Sequence, residues 1–316
     1  MIDRARQSQG AILLVTLGCT WGASFLFIEV LLDEISPIEI VAGRLALGAV
    51  AVIGFMLVRR VRLQWTPSLV AQMVPVAILG NILPFALISW GQESVDSGLA
   101  SVLNATVPIS TAVVGAGFLP EERFSSGRLI GLLLGFAGIV VLTGDGVFNI
   151  TDSAVQGQLA VIVAGVCYAG SSTYSRTLLR TFDPASLSAL QLSMATLLCI
   201  PLVFLIEGSP SYALMSLKAW GAILALGLGG TGIAYIVYLW LIEHMGTVRA
   251  SLVTYIVPIV ALLLGWLVLD ETIGLNVILG AALIIVGVAS VMRGGGPGSE
   301  RRAEPRGPLA APAAAE

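Results

Sequence analysis

One basic side chain lies well inside an apolar stretch of this sequence, Arg44 in PIEIVAGRLALGAVAVIGFML. A guanidinium stays charged at any physiological pH, so its burial points to an anionic partner, either a carboxylate of the same chain or a bound solute. Glu29, toward the end of the preceding stretch, and Glu39, at the start of its own, are the candidates within the chain. Two readings stand side by side, a structural ion pair with a snorkelling arginine and a substrate anchor.

A second polar set recurs with helical spacing. Ser97, Ser101, Asn104, Pro108, Thr111 and Gly115 follow at steps of four, three, four, three and four, which puts all six on one face of a helix. Thr247, Ser251, Thr254, Pro258, Ala261 and Gly265 repeat that stripe 150 positions later. Small residues permit close helix packing, and hydroxyls can bond back to their own backbone. An amide at Asn104 and the carbonyls freed by Pro108 and Pro258 suit a polar cavity instead. Further candidates are Thr20, Trp21 and Ser24; Asn81 and Pro84; Tyr168, Ser171, Ser172 and Ser175; and Thr231, Tyr235 and Tyr238, which share one face. Aromatic rings bearing hydroxyls offer apolar area with a few orienting hydrogen bonds, as amphipathic guests require. The substrate-binding set read from these patterns is Trp21, Ser24, Arg44, Asn81, Asn104, Pro108, Thr111, Tyr168, Ser171, Thr231, Tyr235, Tyr238, Thr254 and Pro258. Trp90 and Trp240 lie near stretch ends and also read as interface anchors.

Other chemistry is poorly provided for. His244 is the only histidine, with no cysteine near it, and Cys19, Cys167 and Cys199 all fall in apolar stretches. Neither a metal site, a histidine-based dyad nor a disulfide framework can be assembled from them. Without a glycine-rich phosphate loop or paired aspartates, the expectation is no catalytic residue and no cofactor.

The elements that must position these residues follow from composition. Of 316 residues 57% are apolar and 11% charged, against roughly a quarter charged in a soluble globule. A formal charge of −3 also excludes a strongly basic nucleic-acid binder. Ten apolar stretches are centred near residues 21, 48, 79, 107, 136, 167, 195, 229, 257 and 283, each able to cover the roughly 20 residues of a bilayer core. The first reads as a retained helix rather than a cleaved leader, because nine more follow and no small-residue cleavage site stands out. Placing the amino terminus in the cytoplasm puts fourteen of the sixteen Lys and Arg residues on that side, which predicts both termini inside.

The stretches form a repeat. At an offset of 147, Trp21 meets Tyr168, Ser24 meets Ser171, Pro37 meets Pro184 and Arg44 meets Gln191. At 150, Gly80 meets Gly230, Trp90 meets Trp240 and Pro108 meets Pro258; at 149, Glu122 meets Glu271, Gly131 meets Gly280 and Gly138 meets Gly287. Each unit holds five spans, an odd number, so the second enters the membrane from the opposite side. The expected division is a cytoplasmic amino terminus at 1–10, repeats at 11–146 and 156–293, and a disordered cytoplasmic tail at 294–316 rich in Gly, Pro, Ala, Glu and Arg. Glu122 and Glu271, each just before the last helix of its unit, are expected to favour that helix's amino-terminal dipole. Gly227, Gly229, Gly230 and Gly232 suit close approach or hinging in the eighth span.

Trp21-Gly22-Ala23-Ser24, Arg44, and the doubled progressions Pro108, Glu122, Gly131, Gly138 and Pro258, Glu271, Gly280, Gly287 resemble the drug/metabolite transporter superfamily, in its ten-helix branch of two EamA domains. That resemblance implies an all-α membrane protein of two inverted five-helix repeats. It further implies a plasma-membrane secondary transporter, often an exporter of amino acids, related metabolites or amphipathic compounds, working by alternating access through a central cavity. The expected partners are a small-molecule substrate and the lipid bilayer. The rival classes are an intramembrane enzyme, which lacks a histidine within a span, and a passive channel or scaffold.

Overall fold

A computed structural model describes residues 2–118, 126–143, 151–178, 181–245 and 253–294, and among these residues there are helices and turns but no strand. Inside hydrocarbon every backbone N–H and C=O must be paired locally, which a helix achieves within one segment. The first half contains α1 (Ile2–Leu32), α2 (Pro37–Arg59), α3 (Pro67–Ala77), α4 (Leu83–Gly91), α5 (Ser97–Asn104), α6 (Val107–Phe118) and α7 (Ser126–Thr143). The second contains α8 (Ser153–Leu178), α9 (Pro184–Glu207), α10 (Leu217–Leu224), α11 (Ala234–Met245), α12 (Val253–Val268) and α13 (Leu275–Gly294). A π-helical turn at Ile78–Ile82 joins α3 to α4, and a longer one at Ala225–Ile233 joins α10 to α11.

Seven of these continuous segments are long and apolar enough to cross a bilayer, and three shorter apolar helices, Leu129–Leu142, Val253–Val268 and Leu275–Ser290, bring the number of membrane segments to ten. Their boundaries follow local signals. Pro37 and Pro184 open α2 and α9 at the first helical position, where a missing N–H costs nothing. Arg60, at φ 54°, ends α2 in the left-handed region.

The two halves interlock rather than sit apart. α1 packs on α12, α8 packs on α4 and α6, and α2 lies against both α9 and the second π-helix. α7 and α13 form a separate pair whose backbones nearly touch: a Cβ on Gly138 would stand 2.8 Å from the Gly280 carbonyl, and one on Gly287 would stand 2.8 Å from that of Gly131. Leu57, Leu133, Phe136, Phe204 and Leu205 are exposed on the outer faces, as a lipid-facing belt requires.

Candidate functional site

Two side-chain pairs cross between the halves. Arg44 on α2 donates from Nε to Thr231 Oγ1 at 2.8 Å, and its guanidinium carbon lies 3.8 Å from the centre of the Phe85 ring. On α9, Gln191 donates from Nε2 to Asn81 Oδ1. Gln191 is the repeat counterpart of Arg44, and Thr231 that of Asn81, so these are one contact formed twice. Arg44 and Gln191 each stand seven positions past the proline that opens their helix, about 10 Å in from opposite ends at 1.5 Å per residue. The acceptors Asn81 and Thr231 lie in the two π-helices, a geometry often found at functional sites.

Sequence explains these local distortions. Pro84, just after the first π-helix, has no N–H to give the carbonyl of Gly80, and widening the turn relieves its ring. The second π-helix packs closely on α2. A Cβ at Gly227 would stand 2.5 Å from that of Leu47, and the Thr231 methyl already fills the space beside Gly48. Of the four glycines expected to serve close approach or hinging, Gly227, Gly230 and Gly232 serve close approach, whereas a Cβ on Gly229 would meet nothing within 4 Å.

The pairs are linked across the bundle. Asn81 Nδ2 donates to the Tyr235 hydroxyl at 3.2 Å, and Tyr168 meets Phe85 edge-on with ring centres 6.4 Å apart. Ser171 Oγ donates to the Val76 carbonyl at 3.3 Å, and a Cβ on Gly80 would collide with it. Trp21 donates from Nε1 to the Gly230 carbonyl at 3.1 Å and packs on Tyr238, 5.4 Å between ring centres. Ser24, buried beside Gly230, bonds back to Thr20. Thus Arg44, Asn81, Tyr168, Ser171, Thr231 and Tyr235 come together, with Trp21, Ser24 and Tyr238 grouped at Gly230 of the second π-helix. Asn104, Pro108 and Thr111 lie on the α5 and α6 segments packed on α8; Thr254 and Pro258 lie on α12, which packs on α1. The Asn104 side-chain Oδ1 is buried with no hydrogen-bond partner among the described residues.

Several expectations are corrected. Arg44 pairs with neither Glu29 nor Glu39. The Glu39 carboxylate accepts from the backbone N–H groups of Ser36, at 2.9 Å, and Ser211, while Glu29 accepts from Gln92 Nε2 at 3.2 Å. Both carboxylates are held by groups at the helix ends, leaving the guanidinium a hydroxyl and a ring. The fourth span is not one helix: Ala105 and Thr106 form a turn between α5 and α6, whereas the equivalent positions Tyr255 and Ile256 are helical in α12, which continues through Pro258. Ser101 and Thr111 return their hydroxyls to the Gly98 and Val107 carbonyls at 2.6 and 2.9 Å, so these two members of the stripe are satisfied by their own helices.

Glu271 does not serve its own following helix. Asp270, in the left-handed region at φ 56°, turns the chain so that the Glu271 carboxylate accepts from the N–H groups of Ser97, at 2.8 Å, and Gly98, at 3.0 Å. That caps α5 in the opposite repeat. Burial, reinforced by the nearby Glu271 charge, raises the pKa of Asp96 above the ordinary carboxylate range. Glu34 at the same end is shifted down, because the Ser216 hydroxyl and N–H both donate to it. Thr247, Ser251 and Glu122 lie outside the described residues.

Phe85 and Gln191 belong to the cluster but were absent from the substrate-binding set. The repeat carries the signal for both, since Phe85 aligns with Tyr235 and Gln191 with Arg44. Among the described residues no group of three or more His, Cys, Asp or Glu side chains could hold a metal.

The profile of the EamA-like transporter family matches residues 8–144 and 155–293, and the chain belongs to that family. An uncharacterized transporter of Bacillus subtilis, YoaV, is 30% identical over 275 residues, covering 87% of this chain and 94% of its own. The uncharacterized inner membrane transporter YedA of Escherichia coli is 27% identical over 286 residues, covering 89% and 90%. A solved crystal structure 22% identical in sequence has the same fold, with a TM-score of 0.64 over 90% of this chain and 97% of its own. The protein is a multi-pass membrane transporter.

Proposed function

We propose that this chain is a secondary carrier that moves a small metabolite or amphipathic compound across the plasma membrane by alternating access, with the central cluster as its substrate site. The observation that carries the reading is the doubled contact, Arg44 to Thr231 and Gln191 to Asn81. It joins α2 and α9 to irregular turns of the opposite repeat, where a bundle of inverted repeats binds its cargo. The units 11–146 and 156–293 rock about it, and a central cavity opens to one face at a time. Trp21, Ser24, Tyr238, Asn104, Pro108, Thr111, Thr254 and Pro258 line the path on either side of the cluster.

The arginine distribution supports both termini in the cytoplasm, and efflux as the direction rests on the family resemblance. Enzymatic chemistry finds no support at Ser101 or Ser171, whose hydroxyls are committed to backbone carbonyls.

Purified protein in proteoliposomes loaded with a cell-metabolite extract tests the carrier. Isotope-labelled extract added outside should exchange for internal solute, with saturation and acceleration by the trans solute. Flux that rises linearly with concentration and shows no trans acceleration would identify a channel; no flux of any solute would remove transport.

A further inference from the structure

Resting on the carrier reading, we propose that the central cluster recognises organic anions, small molecules that join a carboxylate to an apolar, preferentially aromatic, body. The first ground is charge. Arg44 is 9% exposed, its Nε bond goes to a neutral hydroxyl, and its planar face lies on an aromatic ring. Cation–π contact and one hydroxyl leave a full positive charge without a counter-ion among the described residues, and an isolated ion in a low-dielectric interior is stabilised most by an opposite charge.

The second ground is open bonding capacity. Arg44 Nη1 and Nη2 donate to nothing among the described residues, and the one guanidinium bond is that from Nε to Thr231. Their N–H groups are therefore left to take a further acceptor. The Nε bond to Thr231 fixes the guanidinium plane, so the free edge is presented in the fork geometry that matches the two oxygens of a carboxylate.

The third ground is what surrounds that edge. The Tyr168 hydroxyl and Gln191 Oε1 likewise have no hydrogen-bond partner among the described residues. The first can donate a further hydrogen bond to the anion, and the second can accept from a donor elsewhere on the same molecule. The Phe85 ring lies under the guanidinium and meets Tyr168 edge-on, and the Tyr235 hydroxyl reaches Asn81, so the edge is set among aromatic rings and an aromatic body is favoured over a purely polar one. Because Arg44 is matched across the repeat by uncharged Gln191, only one end of the cluster holds an anion, and the substrate is oriented.

Equilibrium binding to purified full-length protein in lipid nanodiscs tests this with three probes of one shape: phenylacetate, phenylacetamide and phenethylamine. Phenylacetate should bind at least tenfold more tightly than either of the others. Arg44→Gln should abolish the preference, and the double variant Arg44→Gln with Gln191→Arg should restore it by moving the charge to the repeat-related position. A purely structural arginine would give neither result. If Arg44→Gln does not fold, Thr231→Val keeps the charge, frees the guanidinium plane and should reduce the preference severalfold. Equal binding of the three probes, tighter binding of the amine, or anion preference surviving in folded Arg44→Gln each overturns the proposal. Counterflow with the metabolite extract separates the two levels. Exchange confined to neutral or cationic solutes leaves the carrier intact and refutes the anion assignment, whereas no exchange at all refutes the carrier.

Discussion

Replacing Glu271 by alanine should loosen the contact between the repeats at the end of the bundle where α5 begins. The carboxylate takes two backbone N–H groups, at 2.8 and 3.0 Å, from a helix start with no other side-chain cap among the described residues. The Asp96 side chain makes no capping bond and the buried Ser97 hydroxyl has no partner among the described residues. Hydrogen bonds to a charged group contribute about 1.5–3 kcal/mol each, and losing a helix cap costs about 1 kcal/mol. Glu271 is half-buried, so solvent replaces part of what is lost, and about 2 kcal/mol is the expected cost rather than the sum. Glu271→Gln keeps one acceptor and should cost about half as much, roughly 1 kcal/mol. Reversible unfolding in mixed micelles measures the difference, with Glu207→Ala at the exposed end of α9 as a control expected to be silent. A Glu271→Ala protein within about 0.5 kcal/mol of the parent would refute the claim that this carboxylate holds α5.

Gly138→Ala drives a methyl against the Gly280 carbonyl and should destabilise the α7–α13 pair by about 1–3 kcal/mol, whereas Gly54→Ala, which meets nothing within 4 Å, should stabilise α2 by about 0.5–1 kcal/mol in the same unfolding assay. Trp21→Phe removes the bond to the Gly230 carbonyl and should cost about 1 kcal/mol, together with a slower counterflow rate. Asp96 carries a raised pKa, so its contribution is favourable below the unfolded-state pKa and lost as pH rises through the folded one. Asp96→Asn should therefore be the more stable protein at neutral pH, with the advantage vanishing on acidification below the ordinary carboxylate range.

The ten-helix plan was legible because bilayer thickness imposes a length and a hydropathy that any reader can mark along the chain. The inverted repeat was legible because rare residues, paired prolines and tryptophans, recur in one order. The partner of Arg44 was not. Glu29 and Glu39 are its neighbours in sequence, while Thr231 lies 187 positions away and reaches it only because Gly48 and Gly227 let α2 and the second π-helix approach closely. The π-helices were hidden for a related reason, since one extra residue in a turn leaves apolar composition unchanged and spoils periodicity over too short a stretch to detect. The reach of Glu271 into the opposite repeat depends on the left-handed turn at Asp270, a residue type that tolerates φ > 0 without announcing it.

The break in the fourth span carries the last prediction. In a carrier of the proposed kind two inverted repeats exchange conformations as access alternates, so the proposal requires a difference between equivalent segments in one state to be mirrored in the other. Here the chain turns at Ala105 and Thr106, whereas the equivalent positions Tyr255 and Ile256 are helical within α12. In the opposite state α5 and α6 should therefore merge, with α12 broken at 255–256. Spin labels at Leu99→Cys and Val113→Cys, in a background without Cys19, Cys167 and Cys199, straddle the turn. A continuous helix would separate their Cα atoms by about 21 Å at 1.5 Å per residue. The broken form gives a second distance, and a transported solute should shift the balance between the two. One population, unmoved by any transported solute, would mean that the turn is a fixed kink imposed by Pro108. The asymmetry between the repeats would then reside in the side chains of Arg44 and Gln191 and not in the backbone.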